Sequence, residues 1–141
     1  MKHFAIAASI AVAALASFPA EARTPVPVIN LAHIAIPASP SQGRTDAQVR
    51  QAIAMAAQAK GWTVAAPEAG KLVATLNVRG KHTVVVDIPY DSRSYSLLYR
   101  DSANMKYSQV NGEAVIHPNY NRWTQDLRVA IDQELLRTAP L

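Results

Sequence analysis

The sequence predicts an α+β two-layer sandwich, an antiparallel meander sheet with two helices on one face, in the order β-α-β-β-β-β-α. Three observations lead there. Two stretches repeat their apolar residues at helical spacing. Between them lie alternating runs joined by turns that contain glycine or proline, the pattern of hairpins. Strands gathered in one block with helices outside it form an antiparallel sheet whose helices share a face.

The elements follow in order. Met1-Lys2-His3 precedes an apolar stretch from Phe4 to Phe18, and Pro19-Ala20-Glu21-Ala22 places small residues in an Ala-x-Ala pattern. A positive start, a short apolar stretch and a small-residue cleavage site are the parts of a secretory signal peptide, so residues 1–22 are expected to be cleaved after Ala22. The stretch falls short of the roughly 20 apolar residues a spanning helix needs. Residues 23–43 are rich in proline and β-branched side chains, which confines any strand to a short or edge piece, Asn30 to Ile36. Ser39 to Gly43 is a loop by composition.

Residues 44–138 are expected to form one domain. Thr45 and Gln48 make a Thr-x-x-Gln capping box, Val49, Ala52, Ile53, Ala56 and Ala57 repeat at helical spacing, and Gly61 follows the last turn. Trp62 to Ala66 is a short strand ending at Pro67. Lys71 to Arg79 alternates, Gly80-Lys81 turns, and His82 to Ile88 returns, which makes a hairpin. After a turn at Pro89 to Ser92, Ser94 to Arg100 is a strand with Tyr95, Leu97 and Tyr99 on one face. Asp101 to Gly112 is polar and reads as a loop. A second helix begins at His117-Pro118-Asn119, with Tyr120, Trp123, Leu127, Ala130, Ile131 and Leu135 as its apolar stripe.

The chain has 141 residues, 50% hydrophobic, 17% charged and 6% aromatic, no cysteine and a formal charge of +4. Without cysteine there is no disulfide, no thiolate nucleophile and no cysteine-ligated metal. Loss of Lys2 and Glu21 removes one charge of each sign, so the +4 carries over to a cleaved chain. No Gly-x-Ser-x-Gly elbow, paired carboxylates, glycine-rich phosphate loop or His-x-x-x-His spacing is present. Metal and cofactor are therefore not expected. Lys71, Arg79 and Lys81 suggest a basic edge around one hairpin, read as solvated strand ends rather than a nucleic-acid surface, since acids are interspersed and no RNA-recognition signature appears. His82 reads as a solvated strand residue and His117 as a cap of the second helix.

The distinctive text is Tyr95-Ser96-Leu97-Leu98-Tyr99 and Ile116 to Trp123. Tyr95, Tyr99, Tyr107, His117, Asn119, Tyr120, Arg122 and Trp123 are the candidate lining of a groove beside the second helix, since amphipathic rings suit peptide or glycan recognition. The alternative places Tyr120 and Trp123 in the helix-face core. With the Arg79-Gly80 turn, these segments resemble a family of small exported proteobacterial proteins of unassigned function, many of them lipoproteins. The element order is similar to the helix-grip arrangement and to domains of outer-membrane assembly accessory lipoproteins. The resemblance implies export and fold, and no catalytic residues.

The expected function is a non-enzymatic domain, periplasmic or secreted, binding an envelope protein, peptide or glycan through its sheet or the groove. Two alternatives stand beside it: a small hydrolase-like enzyme using Ser, Tyr or His117, and a structural envelope protein without a ligand.

Overall fold

The computed structural model describes residues 23–38 and 43–139. The expected signal peptide and most of the Ser39 to Gly43 loop lie outside the described residues. The elements are β1 (Val26–Pro27), β2 (Leu31–Ala35), α1 (Asp46–Ala59), β3 (Thr63–Glu68), β4 (Lys71–Val78), β5 (His82–Pro89), β6 (Ser94–Ala103), β7 (Ser108–Val110), β8 (Glu113–Ile116) and α2 (Asn119–Arg137).

The predicted α+β sandwich is what forms. Strands β3 to β6 make an antiparallel meander, and β2 adds beyond β6 to give the order β2-β6-β5-β4-β3. Alternation decides which face is buried. Leu72, Ala74, Val84, Val86, Ile88, Tyr95 and Leu97 share one core with Val49, Ile53 and Ala57 of α1 and Leu127, Ile131 and Leu135 of α2. Alanines at 52, 56 and 57 bring α1 close to its neighbours, since a helix without bulk on its inner stripe approaches to a short interaxial distance.

Local chemistry fixes the ends. Thr45 Oγ1 accepts from the Gln48 N–H at 3.1 Å and Gln48 Oε1 accepts from the Thr45 N–H at 2.9 Å, so the capping box is complete. The β4–β5 turn is centred on Arg79 and Gly80, with φ of 56° and 67°, one residue earlier than expected. Two successive positive φ values have the signs of a type I′ turn, which the Lys81 N–H closes on the Val78 carbonyl at 3.1 Å; Val78 pairs with His82, so Arg79, Gly80 and Lys81 join the two strands. Strand β3 runs through Pro67 to Glu68 rather than stopping before it. As an edge strand it needs no ladder bond from the missing proline N–H.

Two expectations are corrected. Residues 101–112 are not a loop throughout: β6 continues past a bulge at Arg100 to Ala103, and β7 follows. There is also a second, three-stranded sheet, β1-β8-β7, in which Val26 pairs with Ile116. It sits at the start of α2, where Asn121 Nδ2 donates to the Pro27 carbonyl and Asn121 Oδ1 accepts from the Ile29 N–H, both at 3.0 Å. Among the described residues no helix is long and apolar enough to cross a membrane, which says nothing of a β-barrel.

Candidate functional site

Alternation along β6 sends Tyr95, Leu97 and Tyr99 to the helix side of the sheet, but the three end in different surroundings. Tyr95 is 1% exposed. Its hydroxyl donates to Asp132 Oδ1 of α2 at 2.6 Å, and Asp132 lies 3.6 Å from Arg128 Nε. Burial, then the neighbouring carboxylate, pushes the Tyr95 hydroxyl well above the ordinary phenol value. Tyr95 thus pins α2 to the sheet from inside the core and lines no surface groove.

Tyr99 lies nearer the rim. Its N–H donates to Asn30 Oδ1 at 2.8 Å, and its hydroxyl shares a hydrogen bond of 2.8 Å with Ser102. The bulge at Arg100 makes that contact possible, because it returns Ser102 to the same face as Tyr99. Tyr107 stacks on the Tyr99 ring with centroids 4.5 Å apart and planes 6° from parallel. Tyr120 meets the same ring edge-on at 5.6 Å and 71°. Both geometries are ones the ring quadrupoles favour. Tyr120 is fully buried, while Tyr107 is 40% exposed. The three rings form a ladder from core to solvent.

The remaining groove residues divide. His117 Nδ1 accepts from the Asn119 N–H at 3.0 Å, so His117 caps α2 as the sequence suggested. Burial lowers its affinity for a proton, and Lys106, Arg23, His82 and Arg122 lower it further. Asn119 opens the helix, Arg122 is exposed, and Trp123 is half-buried against the core rather than free at a surface. The structure therefore brings Tyr99, Tyr107 and Tyr120 together, sets His117 and Asn119 in the cap beside them, and removes Tyr95 to the interior. Asn30 and Ser102, which hold Tyr99, carry no local signal in the sequence: their role depends on a strand pairing and a bulge.

The basic edge does not form. β4 is covered by β3 on one side and β5 on the other, so it is not an edge. Lys71 and the Arg79–Lys81 turn lie at opposite ends of it, roughly 26 Å apart at about 3.3 Å per residue. Lys71 is paired with Glu68 at 3.1 Å, and Arg100 with Asp87 at 2.8 Å.

His82 Nδ1 lies 2.9 Å from the Asn104 carbonyl oxygen, so both this imidazole and that of His117 are committed through Nδ1 to backbone groups. Among the described residues no three His, Asp or Glu side chains stand close enough to hold a metal. Compared with protein-family models, with curated proteins and with solved structures, the chain gives no match.

Proposed function

We propose that this chain is an exported, non-enzymatic domain that binds an envelope protein or peptide through the aromatic ladder beside the start of α2. The observation that carries this reading is Tyr107, 40% exposed yet held flat on Tyr99 at 4.5 Å. An exposed ring normally loses rotamer freedom when it binds. Here stacking has already fixed it, and the fully buried Tyr120 backs the stack from the core side. A rigid tyrosine offers an apolar face and a hydroxyl at low entropic cost, the property that makes tyrosine common in recognition surfaces. Ile29, a large apolar side chain that is 52% exposed, adjoins Asn30, the residue that fixes Tyr99. Export rests on the composition of residues 1–22.

Two measurements test the proposal. Expression in a Gram-negative host followed by N-terminal sequencing should find a chain starting at Arg23; a cytoplasmic chain with residues 1–22 intact sinks the export half. Affinity capture from periplasmic extract should recover a protein with the wild type and lose most of it with Tyr107→Ala, a surface change that leaves the fold intact. Equal recovery by both counts against the aromatic ladder.

A further inference from the structure

At the far end of α2 from the aromatic ladder, roughly 22 Å along the helix at about 1.5 Å per residue, Arg44 stands in an unusual position for a lone cation. It precedes the α1 cap residue Thr45 and is only 8% exposed. Nη2 donates to the Leu135 carbonyl in the last turns of α2 at 2.8 Å, where the helix end favours positive charge. Nε and Nη1 are buried and meet no acceptor. Among the described residues no carboxylate pairs with Arg44. Glu134 is taken by Arg137, at 2.6 Å to Nη2.

A buried guanidinium with unfilled donors is costly, since each donor has given up water for nothing. Arg44 also lines a cavity of about 380 Å³ between α1 and α2. The amides of Gln48 and Gln51 and the hydroxyl of Thr138 supply polar wall, and Ala52, Met55 and Leu135 supply apolar wall. Gln48 Oε1 is occupied by the capping box, which leaves its amide nitrogen as the group to offer a ligand. Arg137 and Glu134 cancel, so the cavity carries the single positive charge of Arg44.

We propose that this cavity is a binding site for a small oxyanion, a carboxylate or a phosphate, toward which the Arg44 side chain turns so that the ligand's oxygens complete its hydrogen bonding. A charge-assisted bond to guanidinium inside a low-dielectric wall gives the affinity. The flanking amides and the apolar wall accommodate a short substituent. The site is independent of the aromatic ladder, and the two can fail separately.

The test is titration calorimetry of the protein with sodium acetate and with sodium phosphate, each against sodium chloride at equal ionic strength. Saturable one-to-one binding of acetate assigns a carboxylate ligand, and binding of phosphate alone assigns a phosphate group. Arg44→Met, which keeps the bulk and removes the charge, should weaken that binding about tenfold or more, the loss of a charge-assisted hydrogen bond. Gln51→Glu alters an exposed side chain at the cavity wall without touching the core, so it tests the site even if Arg44→Met does not fold. The added negative charge should weaken binding of either anion. Heats indistinguishable from chloride for both anions, or affinity unchanged in Gln51→Glu, would overturn the proposal.

Discussion

Tyr95 and Tyr120 are buried to the same degree, yet their hydroxyls meet opposite fates. The Tyr95 hydroxyl donates to a carboxylate at 2.6 Å, and the Tyr120 hydroxyl meets no partner. A phenylalanine at each position removes one oxygen and little volume, so the two substitutions isolate the hydrogen bond. Tyr95→Phe should cost about 1 kcal/mol. The figure sits at the ordinary end because the Asp132 side chain is 41% exposed and regains water. Tyr120→Phe should leave stability unchanged or raise it by up to about 1 kcal/mol, because it deletes a buried donor that binds nothing. Urea midpoints of the two variants decide the matter, and equal losses would show that the Tyr120 hydroxyl has a partner after all. The sequence places both rings on apolar stripes, so their burial is legible there. The contrast between their hydroxyls is not, since Asp132 faces Tyr95 only once α2 lies across β6. Arg44 is less legible still: in Gly43-Arg44-Thr45 it looks like any solvated charge ahead of a helix.

Long elements with a local pattern could be read; β1, whose partner is distant, could not, and neither could the short β7–β8 hairpin, whose one local signal is the Asn111-Gly112 turn with both φ values positive. The capping box, the alternation of β4 and β5 and the stripe of α2 each lie within a short window, and each is present. The second sheet is built from strands of two, three and four residues, and β1 finds its partner near residue 116. Strands so short carry no alternation to detect. The hairpin turn shows how a local signal shifts by a residue: glycine marks it, but arginine at φ 56° does not advertise a left-handed conformation. That strain makes a prediction about the hairpin. Arg79→Asn should stabilise the protein by up to about 1 kcal/mol, because asparagine tolerates this region and Asn-Gly is the favoured pair for such a turn. Gly80→Ala should cost about 1–2 kcal/mol through the steric conflict of its Cβ with the backbone at φ 67°. The added Cβ has open space around it, so any loss measures backbone strain rather than a clash with the core. Thermal unfolding of both variants should move in opposite directions, and a shared sign would mean that the turn relaxes to another type.

For the molecule as a whole, three buried or half-buried groups bound the pH range in which the fold is strongest. His117 holds its proton less tightly in the folded chain than the ordinary value of 6.5, because of burial and the cations of Lys106, Arg23, His82 and Arg122. Below about pH 6.5 the unfolded chain therefore binds a proton that the folded chain resists, and stability falls as the pH drops. Tyr95 and Tyr120 are shifted upward, chiefly by burial. Above about pH 10 the unfolded chain releases protons that the folded chain keeps, so stability falls as the pH rises. Asp91, whose carboxylate accepts the Arg93 and Ser94 N–H groups, adds a further loss only where carboxylates protonate. Urea midpoints should thus form a plateau between about pH 7 and pH 10 and decline on both sides. The acid limb can be assigned to one residue. Protonation of His117 Nδ1 destroys the acceptor that caps Asn119, whereas an asparagine there keeps an acceptor and does not titrate. His117→Asn should therefore flatten the decline between pH 7 and pH 5 while leaving the alkaline limb in place. An acid limb identical to wild type would move its origin away from the α2 cap.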